Sequence, residues 1–146
     1  MGATSLLPPA PRPVEVRGTV ALAALGTWTI LVPYLAKPLG LEVKVAALVE
    51  VVDHVVPGAL VAAAGFYLVR LARRRSLAGA QSALFAGALC FLAGFWVLAT
   101  HVPLLVEAAR ANLPWSAAVW HSASAFPVLA LALWCVLRST PADPGR

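Results

Sequence analysis

Residues 79–102 read GAQSALFAGALCFLAGFWVLATHV, and this stretch decides the fold class. It contains no Asp, Glu, Lys or Arg, and about 20 apolar helical residues suffice to cross a hydrocarbon core of roughly 30 Å. Comparable apolar runs occupy residues 18–36, 45–69 and 116–137. The composition agrees, because 61% of the residues are hydrophobic, 12% are charged and the mean hydropathy is +0.85. We therefore predict an all-α integral membrane protein with four transmembrane helices.

The basic residues predict how these helices are oriented. By the positive-inside rule, the side richer in Lys and Arg is cytoplasmic. The short connections at residues 37–44, 70–78 and 104–115 favour an antiparallel up-down-up-down bundle. We expect both termini in the cytoplasm and the protein in the inner or plasma membrane of a bacterium. The basic side carries Arg12, Arg17, Arg70, Arg73, Arg74, Arg75, Arg138 and Arg146, and the other side carries Lys37, Lys44 and Arg110.

The chain divides into a membrane domain and two tails. Residues 1–16 contain four prolines and no helical periodicity, so we expect a disordered cytoplasmic tail. Residues 17–138 form the four-helix domain, and residues 139–146 form a flexible cytoplasmic end. The net charge of +5 resides at helix ends, which argues against nucleic-acid binding. The expected partners are the lipid bilayer and a membrane protein or a second copy of the chain.

Polar residues within the apolar runs fall at one depth. Counting about 1.5 Å of rise per residue from the cytoplasmic arginines places His54 and His121 roughly 24 to 25 Å away. The same count places His101 and Glu50 slightly farther out, at the external interface. Ionisable residues in membrane helices are costly and usually face a bundle interior or a wet cavity. This layer is therefore the candidate functional site.

The second helix contributes a stripe of polar residues to this layer. Glu50, Asp53, His54 and Pro57 are spaced at i, i+3, i+4 and i+7, which places them on one helix face. Pro57 lacks the N–H that would bond the Asp53 carbonyl, and this leaves an additional acceptor. Such a corner suits a cation, a proton or ordered water.

The first functional interpretation is a b-type haem. Two neutral imidazoles at equal depth on facing helices can provide both axial ligands, and His54 and His121 meet this requirement. Lys44 or Arg110 would pair with the haem propionates. The protein would then be an electron-transfer or redox-accessory subunit.

A second interpretation is a transition-metal site. His54, His101 and His121 would supply nitrogen ligands, and Glu50 or Asp53 would supply an oxygen ligand or orient an imidazole. Three imidazoles and a carboxylate suit copper or zinc. The same groups could relay protons to a quinone or lipid substrate, so an enzyme and a non-enzymatic binding protein both fit the residues.

A third interpretation involves no ligand. The polar layer would satisfy its own hydrogen bonds, and the protein would act as an accessory or assembly subunit of a membrane complex.

Overall fold

The computed structural model describes residues 13–74 and 79–139, and within these ranges it contains helices and no strand. Four segments are long and apolar enough to cross a membrane, which confirms the prediction of an all-α protein with four such helices. We call them the first to fourth spans: Arg17–Leu39, Ala47–Leu71, Ser82–Ala109 and Trp115–Leu137. The α-helices are Pro13–Ala36, Ala47–Glu50, Val56–Arg74, Gly79–Ala109, Trp115–Ser122 and Ala125–Ser139, with a 3-10 helix at Lys37–Leu39 and a π-helix at Val51–Val55.

Several helix boundaries differ from those predicted, and two of the differences involve proline. The first helix begins at Pro13, because the fixed φ of proline suits the first turn of a helix and its missing N–H costs nothing there. The third helix does not end before Pro103 but continues to Ala109. Proline is tolerated within membrane helices when neighbouring groups satisfy the carbonyl that it frees. Of the tails predicted at residues 1–16 and 139–146, residues 13–16 and Ser139 are helical, and residues 1–12 and 140–146 lie outside the described residues.

The second span is distorted where it carries the polar stripe. The turn Val51–Val55 is a π-helix, and the Val56 N–H donates to the Val51 carbonyl five residues earlier. Pro57 follows directly, and in a regular α-helix its ring would clash with the Asp53 carbonyl. Widening the preceding turn relieves this clash. The distortion of the second span therefore lies in the turn before Pro57, which contains His54.

The fourth span is interrupted just after its histidine. Its first helix ends at Ser122 and its second begins at Ala125. Pro127 cannot donate to the Ala123 carbonyl four residues earlier, so the regular bonding pattern fails at this point. The Ala123 N–H instead makes a 3.4 Å bond to the Trp120 carbonyl. The break divides residues 116–137, which were predicted as one helix.

The first and second spans approach closely through glycine. A Cβ added to Gly26 would lie 2.2 Å from the Ala62 backbone nitrogen, and one added to Gly65 would lie 2.5 Å from that of Ala23. Small residues permit this approach, which gains dispersion contacts where lipid provides no hydrophobic driving force.

A cluster of buried apolar residues, the packed core, joins all four spans. Each span contacts its neighbour in the sequence, and the fourth also packs on the first. The members of the packed core are Leu22, Val61, Ala64, Leu68, Ala86, Cys90, Ala93, Val128, Ala132 and Cys135.

Candidate metal centre

The histidine layer consists of His54, His101 and His121, which come from the second, third and fourth spans. Each side chain is buried, with 2% of its surface exposed. Their ligating nitrogens all lie within 4.8 Å of one another. The chain contains three histidines, and the fold collects all of them at one point.

The closest pair is His54 and His101. Their Nε2 atoms are 3.2 Å apart, and the two rings are nearly perpendicular, at 89°. Two nitrogens bound at 2.0–2.1 Å to one tetrahedral ion would be roughly 3.3 Å apart. The ring of His121 completes the layer, with its centroid 5.5 Å from that of His54 and 6.4 Å from that of His101. This spacing resembles the ligand set of a single ion.

Backbone contacts determine which nitrogen of His101 is free to bind. Its Nδ1 lies 2.7 Å from the Val97 carbonyl, which can only accept, so Nδ1 carries the proton and donates. The Thr100 hydroxyl donates to the same carbonyl at 3.2 Å and lies 3.1 Å from Nδ1. The Nε2 atom of His101 therefore presents its lone pair toward His54.

A carboxylate lies beside His54. Oε2 of Glu50 is 3.3 Å from His54 Nδ1, one helical turn away, but the two atoms do not form a hydrogen bond. A carboxylate in this position favours a proton on the imidazole nitrogen beside it, and Nε2 is then the nitrogen available to a ligand. Contacts of this kind fix the ring orientation of metal-binding histidines in proteins.

Four buried polar side-chain atoms lack hydrogen-bond partners among the described residues. They are Oε2 of Glu50, Nδ1 of His54, Nε2 of His121 and Oγ of Ser124. Most buried polar side-chain atoms have a partner, so each exception needs an explanation. For His121 the unpaired atom belongs to the group that converges on the other two histidines.

A cavity of about 90 Å³ adjoins the histidine layer. One side of it is polar, and the other is formed by aliphatic side chains from the third span, the start of the second span and the loop before it. Its lining residues are Val43, Val45, Val49, Glu50, Asp53, His54, Thr100, His101, Leu104 and His121.

All five predicted site residues line this cavity, but they make different contacts. The histidines form the group of converging nitrogens, and neither Glu50 nor Asp53 belongs to that group among the described residues. Glu50 instead contacts the far side of the His54 ring. His101, which was expected slightly farther out than His54 and His121, is a direct neighbour of His54.

Sequence reasoning missed several contributors to the site. The Val97 carbonyl orients His101, and Thr100 donates to that carbonyl. The aliphatic residues that line the cavity were also missed; they are Val43, Val45, Val49 and Leu104. Residue type does not identify a carbonyl or a valine as functional. The spacing of Val97 and His101, one helical turn apart, was the only available signal.

Comparisons with known protein families, curated proteins and solved structures find no match to this chain. The geometry of the site is therefore the basis for proposing a function.

Proposed function

We propose that this membrane protein binds one transition-metal ion, copper or zinc, through the Nε2 atoms of His54 and His101 and a ring nitrogen of His121. The observation that carries the proposal is the 3.2 Å separation of the His54 and His101 Nε2 atoms. The Val97 carbonyl holds the proton of His101 on Nδ1, so the lone pair of its Nε2 faces His54 across that gap. A cation between the two rings would accept a lone pair from each Nε2, in place of the hydrogen bond that an Nε2–H of His54 would donate.

The unpaired nitrogen of His121 supports an ion over a layer that only satisfies itself. In an accessory subunit without a ligand, each buried imidazole should find a protein partner. Nε2 of His121 has none among the described residues, although it is buried beside two other histidines.

The same distances favour an ion over a haem. Two axial histidines must face each other across a planar slot that holds the macrocycle. Here His54 Nε2 points at another imidazole at 3.2 Å, and the adjoining cavity measures about 90 Å³. Haem binding by His54 and His121 is the alternative that an absorption spectrum separates from the proposal, because only haem gives a Soret band.

The chemistry that the ion supplies depends on its identity. Imidazole ligands suit both copper and zinc, so the site can support electron transfer by copper or Lewis-acid activation by zinc. The residues of the chain hold the ion, orient two of the rings through Glu50 and the Val97 carbonyl, and bury the site at one end of the helices.

Metal analysis of protein purified in detergent tests this proposal. We expect about one copper or zinc ion per chain and loss of stoichiometric binding in His121→Ala, since an ion held by three ligands loses one. Ser122→Ala is the matched control, because Ser122 is also buried and its hydroxyl bonds the Ala118 carbonyl, away from the site. A metal-free wild-type protein after reconstitution with both ions, or a Soret band, would contradict the proposal.

We further propose that the spans form an up-down-up-down bundle with both termini in the cytoplasm and the histidine layer near the external face. The asymmetry of Lys and Arg supports this orientation. Single cysteines introduced within residues 70–78 and at Asn112 test it with an impermeant thiol reagent. In intact cells the reagent should label Asn112→Cys and spare the cysteine at 70–78; the reverse pattern would invert the orientation.

A further inference from the structure

We propose that the metal centre is open: the three histidines leave one coordination position, which faces the adjoining cavity and takes a small exogenous ligand, with water as the resident one. This inference rests on the proposed function and specifies the class of ligand that the ion accepts. Structural metal sites in proteins have a closed set of protein ligands, whereas catalytic sites keep a position for water or substrate.

The histidine layer supplies three protein ligands. The group of converging ligand atoms contains three imidazole nitrogens, and within the described residues no carboxylate joins it. Glu50 lines the cavity, but it lies outside this group, with its Oε2 beside His54 Nδ1 on the other side of the ring. A tetrahedral ion held by three nitrogens requires a fourth ligand that the described part of the chain does not supply.

The histidines have open space beside them. The cavity of about 90 Å³ is lined by all three of them, so it adjoins the place where the ion would bind. A water molecule occupies roughly 30 Å³ of liquid volume, so the space beside the ion is large enough for a water molecule or a small anion.

The cavity is lined by both polar and aliphatic side chains. Asp53 lines it without belonging to the group of ligand atoms, so its carboxylate can accept a hydrogen bond from a metal-bound water. Val49 and Leu104 form part of the aliphatic wall, which offers no competing ligand. Three neutral imidazoles contribute no charge to the coordination sphere, so the open position can take a small anion in place of the water.

Cobalt substitution provides the experiment, because the visible absorption of Co²⁺ reports its coordination. The protein is loaded with Co²⁺ in detergent, its stoichiometry is measured, and sodium azide is added. We expect about one Co²⁺ per chain and a saturable change in the spectrum with azide.

A pair of variants locates the open position. In Val49→Phe the larger side chain fills the cavity, so we expect Co²⁺ to be retained and the apparent azide affinity to fall by at least about tenfold. Val51→Phe is the matched control, since Val51 is comparably exposed and does not line the cavity. It should keep the wild-type response.

The outcomes separate the two proposals. Failure to bind Co²⁺, Zn²⁺ or Cu²⁺ would overturn the proposed function and this inference with it. Metal binding without an azide response in the wild-type protein would overturn this inference alone. A response that appears only in Asp53→Asn would also overturn it, because Asp53 would then be the fourth ligand. An equal response in Val49→Phe would show that azide binds the ion from elsewhere.

Discussion

The histidine layer and the packed core are built from the same spans on opposite principles. In the packed core, buried residues are small or aliphatic. Around the histidine layer, helices are distorted, and buried polar atoms of Glu50, His54, His121 and Ser124 lack hydrogen-bond partners among the described residues. The comparison shows that close apolar packing stabilises one region, while distorted helices bring three imidazoles together in the other.

Proline and glycine account for much of this difference. Gly26 and Gly65 let the first and second spans approach to backbone contact. Pro57 and Pro127 follow the histidines of the second and fourth spans and interrupt regular hydrogen bonding beside them. Single π-turns inside α-helices are often found at functional sites.

The largest expected effect is on the glycine contact. In Gly26→Ala the new Cβ would meet backbone atoms of Ala62 and Gly58, which cannot rotate away. We expect a loss of about 3 kcal/mol in the free energy of unfolding, the upper part of the usual range for overpacking. Unfolding with sodium dodecyl sulfate in mixed micelles, followed by circular dichroism, measures it.

Gly87→Ala serves as the control for this prediction. Its added Cβ would meet a side-chain methyl of Val136 at 2.6 Å, and a side chain can shift more readily than a backbone. We expect a loss of about 1 kcal/mol, at the lower end of the overpacking range. Equal losses in the two variants would contradict the assignment of close backbone packing to the first and second spans.

The second prediction addresses the histidine layer without disturbing the packed core. Glu50→Gln removes the charge beside His54 Nδ1 and should weaken metal binding by about 10- to 100-fold, as loss of a carboxylate that orients a ligand usually does. Competition with a metal chelator measures the affinity. Stability of the metal-free protein should change little, because Glu50 is only partly buried.

Glu107→Gln is the matched control for the Glu50 variant. Glu107 pairs with Arg110 at 3.3 Å beyond the site, and its side chain is 42% exposed. Its replacement should leave metal affinity at the wild-type value. A similar loss in both variants would mean that general electrostatics, and not orientation of His54, controls binding.

The distinction between these regions was only partly predictable from the sequence. Hydropathy located the four spans, and counting rise along each helix placed His54 and His121 at one depth. The rotation of a helix about its axis depends on packing and on local distortion. The π-turn at Val51–Val55 and the break after Ser122 alter this rotation next to two histidines, so the His54–His101 contact could not be deduced.

Pro103 shows a second limit of sequence reasoning. The expectation that a helix ends before proline reflects the exposed helices of soluble proteins, where water competes for the freed carbonyl. Within apolar surroundings the cost of abandoning the helix is greater, because each following backbone group would lose its partner. The third helix therefore continues past Pro103, and this continuation carries Leu104 to the wall of the cavity.

The smallest expected effect concerns the link between the first span and the histidine layer. The indole Nε1 of Trp120 donates to the Val32 carbonyl at 3.1 Å, and its ring makes an edge contact with Trp28. Trp120→Phe removes the donor and retains an aromatic ring, so we expect a loss of about 1 kcal/mol in the free energy of unfolding. Trp115→Phe is the control, because Trp115 is exposed and its replacement should cost less.

Although Trp120 precedes His121, the metal affinity of Trp120→Phe should match that of the wild type, since the bond anchors the fourth span to the first and does not touch a ligand atom. A fall in metal affinity as large as that of Glu50→Gln would show that the first span also positions His121, and the site would then extend over all four spans.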